Sequence, residues 1–397
     1  MIRRLWALLP RRLRREALFG AMAALAPRID RPEPDGDWRH GGSLTVAGYF
    51  SAATGLGAAT RRLAAGMRES GLQPLDVDLT GPLRQRTGPE GARPPVPVPA
   101  GPGTLLVHVN GFMLPWALKV LGKRAVRGKR VIAVWNWELP VLPADWHRGF
   151  ACCHEIWVGA EFVAQACRAA PGCPPVRVVP YPILPRPEPL ALSRADFGLP
   201  AEAFVTLALF DATSSLARKN PLGAIAAHHA AFGDRADRIL VIKTHATADA
   251  GPGWAEVARA AAAHPNIRIM EQHLPRAGLW ALVAAADCML SLHRSEGYGF
   301  AIAEAMALGR AVIATGWSGN MDFMTGPGAF MVPYRLVPAH DPQEIYDIPG
   351  ASWAEPDIAA AASLLQALAE RPFHPAPVSI PIPDYEALLS DRPKGGA

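Results

Sequence analysis

The chain is poor in cysteine, in uninterrupted apolar runs and in charge. Its five cysteines, Cys152, Cys153, Cys167, Cys173 and Cys288, form an odd set without zinc-site spacing. That argues against a disulfide framework and fits buried or free thiols in a reducing cytoplasm. No stretch offers the roughly 20 consecutive apolar residues of a membrane-spanning helix. The N-terminal candidate, MIRRLWALLPRRLRREALFGAMAAL, is interrupted by Pro10 and four arginines directly after it, and so also falls short of the apolar core of a secretory signal. Met1 to Arg15 holds six arginines and no acid. Taking those six from the 40 Lys and Arg leaves 34 against 35 Asp and Glu, so the formal +5 is a local property of the N-terminus. No basic patch with interleaved aromatics recurs, which speaks against nucleic acid.

Half of the 397 residues are apolar, enough to bury two cores. Apolar strand-like runs near Leu44, Leu105, Val131 and Ile156, and again near Thr206, Leu240, Ile267, Met289 and Val312, alternate with helical stretches. This predicts an α/β protein with two Rossmann-like, doubly wound parallel sheets. The expected division is a basic arm at 1–40, one domain at 41–185, a second at 190–370 and a Pro-rich, extended tail at 371–397. Tyr181 to Ala191, YPILPRPEPLA, reads as a semi-rigid linker. Gly88 to Pro102 reads as an exposed loop.

The most informative stretch is SLHRSEGYGFAIAEAMALGRAVIATGWSGNMDF, Ser291 to Phe323. Cys288 to Leu292 reads as a strand, Phe300 to Leu308 as a helix ended by Gly309, and Ala311 to Thr315 as the next strand. In such a βαβ unit the loop after the first strand brings backbone N–H groups and the positive helix end together, which suits a phosphate. Glu296 falls on that loop and Glu304 about one turn into the helix. A bare pair of acids near a helix start is ordinarily explained by the helix dipole alone. The surrounding order of residues, however, resembles the donor-binding segment of glycosyltransferase family 4, the retaining GT-B enzymes.

The resemblance implies a GT-B architecture, two such domains facing a central cleft, and sugar transfer from a nucleoside-diphosphate sugar. It places Glu296 at the transferred sugar and Glu304 at the nucleotide ribose, with Gly297, Tyr298, Gly299 and Phe300 lining the donor site. Phe204 to Phe210 followed by Asp211, Ser214, Ser215, Arg218, Lys219, Asn220 and Pro221 resembles the family's second donor segment, whose Arg and Lys grip the diphosphate. A guanidinium can fork two phosphate oxygens while the Lys supplies a point charge. In the first half, Gly55, Leu56 and Gly57 follow the first strand, where relatives border donor phosphates and acceptor, with Arg61 and Arg62 on the helix behind them. Many relatives also carry a donor-contacting His after the strand found here at Arg130 to Val134. This chain has Asn136 and Glu138 there, which makes Glu138 a cleft candidate and leaves His108 and His154 as weak substitutes.

The resulting expectation is a retaining glycosyltransferase with no cofactor beyond its substrate and no essential metal. It would act on a glycan, lipid-linked or other hydroxyl acceptor in cell-surface polysaccharide or glycolipid synthesis. The Asp76-Val77-Asp78 triplet resembles the metal-binding signature of transferases of another fold but lies far in sequence from the donor segments. The expected site is cytoplasmic, with the Arg-rich arm lying on an anionic inner membrane face. Two rivals remain: a nucleotide-sugar-binding protein without turnover, and a dinucleotide-dependent oxidoreductase. The second is weakened because Thr60 stands where the Gly-x-Gly-x-x-Gly fingerprint needs its third glycine.

Overall fold

The computed structural model describes residues 11–30, 42–183, 190–371, 373 and 375–391. Residues 1–10 and 31–40 of the expected arm, 41 at the start of the first expected domain, 184–189 of the expected linker and 372, 374 and 392–397 of the tail lie outside the described residues. The chain forms two compact units: one of 1–137, 141–184 and 382–397, the other of 138–140 and 185–381.

Unit 1 opens with helix α1 (Arg11–Leu25) and continues β1 (Ser43–Gly48), α2 (Gly55–Glu69), β2 (Leu75–Asp78), β3 (Gly103–His108), α3 (Leu114–Leu121), β4 (Lys129–Trp135), β5 (Glu155–Val158), α4 (Glu161–Arg168) and β6 (Val176–Val178). The sheet is parallel throughout in the order β2-β1-β3-β4-β5-β6. Its strands are runs of Val, Leu, Ile and Ala because a parallel strand is covered on both faces. Val46, Leu106, Ile132 and Val134 from the sheet bury against Leu63, Ala64 and Met67 of α2. Helix α2 starts at Thr54, whose Oγ1 accepts the Gly57 N–H at 3.2 Å.

Unit 2 runs β7 (Phe204–Leu209), α5 (Leu216–Lys219), α6 (Pro221–Phe232), β8 (Arg238–Lys243), α7 (Gly253–Ala262), β9 (Ile267–Met270), α8 (Arg276–Ala285), β10 (Cys288–Ser291), α9 (Phe300–Ala307), β11 (Ala311–Thr315), β12 (Ala329–Val332), β13 (Tyr334–Pro338), β14 (Ser352–Pro356) and α10 (Ile358–Glu370). Its main sheet is again all parallel, in the order β9-β8-β7-β10-β11-β12. This is the doubly wound order in which the chain works outward from β7 to one edge and returns to lay β10 on β7's other side. The strand order therefore reverses between β7 and β10, the position at which open α/β sheets bind ligands beyond the carboxyl ends of their strands.

The antiparallel hairpin β13–β14 is absent from the expected pattern. The tail also differs from the expected extended segment. Asp384 caps a final helix α11 (Tyr385–Ser390) by accepting the Ala387 N–H at 2.9 Å, and Tyr385 and Leu389 are buried in the unit 1 core. Once Tyr385 and Leu389 have an apolar surface to cover, one short amphipathic turn is worth more than an extended Pro-rich chain.

Candidate functional site: the switch point of unit 2

Two loops meet at the switch point, the one after β7 leading into α5 and the one after β10 leading into α9. Three hydrogen bonds tie them together. Asn220 Nδ2 donates to the Leu292 carbonyl at 2.9 Å, the Arg294 N–H to the Arg218 carbonyl at 2.7 Å, and Arg218 Nη1 to the Ser295 carbonyl at 2.8 Å. Asn220 sits at φ 52, a left-handed conformation that Asn tolerates better than most residues, and its Oδ1 accepts the Gly223 N–H to start α6. Ser215 Oγ caps α5 by accepting the Arg218 N–H at 3.1 Å and donates to Asp341 Oδ1 at 2.8 Å.

These constraints bring Arg218, Lys219 and Glu296 into one cluster. Lys219 Nζ donates to Glu296 Oε1, and Arg218 Nη1 lies 3.3 Å from Glu296 Oε2. Arg218 and Glu296 are buried. Burial by itself would raise the Glu296 carboxyl, but Lys219, Arg218 and His293 outweigh it and hold the group at about 2. Burial and the neighbouring Arg218 push Lys219 below its ordinary value despite Glu296. The carboxylate is thus fixed in its charged form, with its position pinned further by its own backbone: the Glu296 N–H donates to Ser318 Oγ at 2.8 Å, and its carbonyl accepts the Gly319 N–H at 2.9 Å.

Helix α9 begins beside this cluster. Gly299 is its N-cap at φ 94 and offers no side-chain acceptor, so the first-turn N–H groups have no capping side chain. Gly297 is crowded from behind: a Cβ on Gly319 would lie 2.2 Å from the Gly297 carbonyl oxygen. Tyr298 is buried, its ring 5.0 Å from that of Phe323 and 5.1 Å from that of Phe300. Tyr298 and Phe300 therefore build the wall of the loop. Glu304 stands one turn along, about 6 Å beyond the helix start, buried and 3.5 Å from Arg276 Nη2.

Glu138 joins the same cluster. Its backbone carbonyl accepts Ser295 Oγ, and its carboxylate is hydrogen-bonded to the Tyr346 hydroxyl, which burial pushes well up. The Tyr346 ring lies 5.1 Å from the Arg218 guanidinium. Ser215 belongs to the second donor segment named in the sequence, whereas Ser318, Asp341 and Tyr346 are not singled out there as site residues. The Trp-Ser-Gly-Asn turn at Ser318, where φ is 81, was the readable signal for one of them. Asp341 and Tyr346 belong to a loop more than 120 residues from Arg218, and no local pattern announces them.

In unit 1, Gly55 has open space where a Cβ would be, but Gly57 does not: a Cβ there would lie 2.2 Å from the Ala52 carbonyl oxygen. Gly57 is thus required by its own turn, and Leu56 is half-buried beside it. His108 is fully buried, held by Thr60 Oγ1 at 2.8 Å, Asn136 Nδ2 at 2.8 Å and Tyr181 Oη at 3.2 Å. Burial lowers it to about 3, so it stays neutral. His154 bridges the Val131 N–H and the Asp30 carbonyl. Asp78 accepts from Ser51 and Thr80, and Asp76 pairs with Arg68 and Arg93, so both acids of the Asp-x-Asp triplet are engaged in holding the loops around β2.

No curated protein matches the chain. Among solved structures, an apo OtsA is similar at 15% identity and a TM-score of 0.49, covering 68% of this chain and 65% of that one. An α,α-trehalose-phosphate synthase (UDP-forming) from Burkholderia xenovorans, in complex with glucose-6-phosphate, is similar at 13% identity and 0.48, covering 73% and 69%. The pneumococcal O-GlcNAc transferase GtfA in complex with UDP and GlcNAc is similar at 12% and 0.44, covering 68% and 50%. The chain thus spans less than two thirds of the length of OtsA and of GtfA. Residues 237–348, from β8 to the loop before β14, match the family model described as Glycosyl transferases group 1, and this segment holds Glu296, Glu304, Ser318, Asp341 and Tyr346.

Proposed function

We propose that the protein is a retaining glycosyltransferase that takes a sugar from a nucleoside-diphosphate sugar to a hydroxyl acceptor. The observation that carries this reading is the Arg218–Lys219–Glu296 cluster at the switch point of unit 2, beside an uncapped helix start and inside or adjoining the family segment. Two cations and the first-turn N–H groups of α9 favour a diphosphate there. Glu296 is the acid nearest those cations, and it suits the hydroxyls of the transferred sugar. Glu304, one turn farther, suits the ribose.

Retention follows two routes in principle. Double displacement requires a carboxylate free to attack the anomeric carbon, whereas Glu296 is held by both Lys219 and Arg218. Front-side attack fits this cluster better. The anomeric C–O bond to the phosphate breaks as the acceptor oxygen bonds to the same face, and the acceptor proton passes to the departing phosphate. Arg218 and Lys219 stabilise the charge that grows on that phosphate, the kind of preorganised electrostatics that contributes most in such reactions. No cofactor and no metal take part in this chemistry.

The acceptor side belongs to the same proposal: Gly55, Leu56 and Gly57 border it, and the product is a cell-surface polysaccharide or glycolipid assembled in the cytoplasm. Among the described residues no helix is long and apolar enough to cross a membrane. Helix α1 is anchored by Phe19 on Phe112, with ring centroids 4.9 Å apart, and it exposes Leu18 and Leu25. Together with the N-terminal arginines this supports peripheral contact with an anionic inner membrane face. The test is a panel of nucleotide sugars read by thermal stabilisation and donor hydrolysis. A response to one donor class supports the proposal; a response only to a nicotinamide cofactor overturns it.

A further inference from the structure

A second cluster of ligating side chains lies on unit 2. His229 is in the last turn of α6, Asp234 in the loop before β8, and His264 just after α7. In a doubly wound sheet both connections, α6 to β8 and α7 to β9, run along the amino ends of the strands. That is the edge opposite the Arg218–Lys219–Glu296 cluster. One ligand atom from each of the three residues lies within 4.8 Å of the others. Asp234 Oδ1 is 2.9 Å from His264 Nδ1 and 3.7 Å from His229 Nδ1. Two ligands bound tetrahedrally at about 2.0–2.1 Å from one zinc stand about 3.3 Å apart, between those two values.

We infer that His229, Asp234 and His264 form a binding site for one divalent transition-metal ion, of the class that imidazole suits, such as zinc, cobalt or nickel. The site is built before the ion arrives. The buried Asn266 spreads its Nδ2 over the carbonyls of Gly233, Arg235 and Arg238 at 3.0, 3.2 and 2.9 Å. It thereby ties the loop carrying Asp234 to the segment carrying His264. The Gly233 N–H donates to the His229 carbonyl at 2.7 Å and closes the turn at φ 57. The nearby cations Arg235 and Arg238 are turned to Asp237. The two imidazole rings, now 4.0 Å apart, open slightly as the ion enters, and water completes the shell. The ion ties the end of α6 and the loop before β8 to the turn after α7 and stabilises unit 2 without touching the donor chemistry.

The experiment is a Co2+ titration of the untagged full-length protein, followed by displacement with Zn2+, in the wild type, His229→Ala, His264→Ala and Asp234→Asn. All three residues are partly or well exposed, so the variants fold, and metal-free melting confirms it. Expected is one saturable visible band per chain without thiolate charge-transfer absorption. Each His variant weakens binding by about tenfold or more, and Lys219→Ala leaves it unchanged. Equal binding in wild type and the His variants, a thiolate signature, or no saturable band overturns the inference.

Discussion

At the residue scale, Glu296 is the hinge of the site's electrostatics. Two cations meet one buried carboxylate, and each partner is tolerable in the interior only because the others are there. Under the proposed function, Lys219→Ala should therefore do more than remove the proposed phosphate contact. Turnover should fall by about 100-fold or more, while circular dichroism and the melting transition show a folded protein; unchanged turnover would remove Lys219 from the diphosphate site. Glu304→Ala should act differently, raising the donor KM more than it lowers kcat, as initial-rate kinetics over a donor series can check. Acidity offers a third probe. Glu296 titrates near 2 when folded and near 4.5 when unfolded, so its contribution to stability is complete above about 4.5 and is lost as pH falls toward 2. Glu296→Gln should flatten that part of the denaturation curve. An acid limb identical in wild type and variant would contradict the assignment.

At the element scale, the site depends on how α5 is held. Its four residues are too few to stand alone, so Ser215 and Asn220 fix its two ends. Asn220→Ala removes the donor to the Leu292 carbonyl and the α6 cap, and puts at φ 52 a residue that tolerates the left-handed region less well than Asn. A loss of about 2–4 kcal/mol is expected in urea denaturation, from the cap and the orphaned carbonyl together. The same elements show what a sequence can disclose. The parallel strands were legible because Phe204 to Leu209 and Ala311 to Thr315 are buried on both faces and read as continuous apolar runs. The placement of Glu296 on the loop and of Glu304 one turn into α9 was legible because a strand, a Gly-rich turn and a helix follow within one short segment. Hairpin β13–β14 was not, since exposed Tyr334 and Leu336 alternate with Pro and Arg and show no inward face. Helix α11 was hidden behind prolines, although Asp384 is an ordinary N-cap signal. The approach of Glu138 and Tyr346 to Arg218 depends on tertiary contacts between distant segments, which periodicity cannot report.

At the scale of the whole molecule, two units with separate cores should answer separately to damage. Tyr385 is completely buried among Gly66, Trp157 and Met67. Tyr385→Ala should cost unit 1 about 3–5 kcal/mol, while stabilisation of unit 2 by a nucleoside diphosphate persists. Loss of both responses together would mean that the units do not unfold independently. Unit 1 draws its last core residues from the far end of the chain, with Arg130 held between Glu155 and the carbonyls of Leu389 and Asp391. On the ribosome this sets an order. The strands from β1 to β6 emerge first but wait, with the cavity for Tyr385 and Leu389 unfilled, until α11 has been made. Unit 2 can close its own sheet and helices before then. The half of the protein synthesised first is therefore the last to be finished, and during that interval its apolar surface is the part most in need of a chaperone.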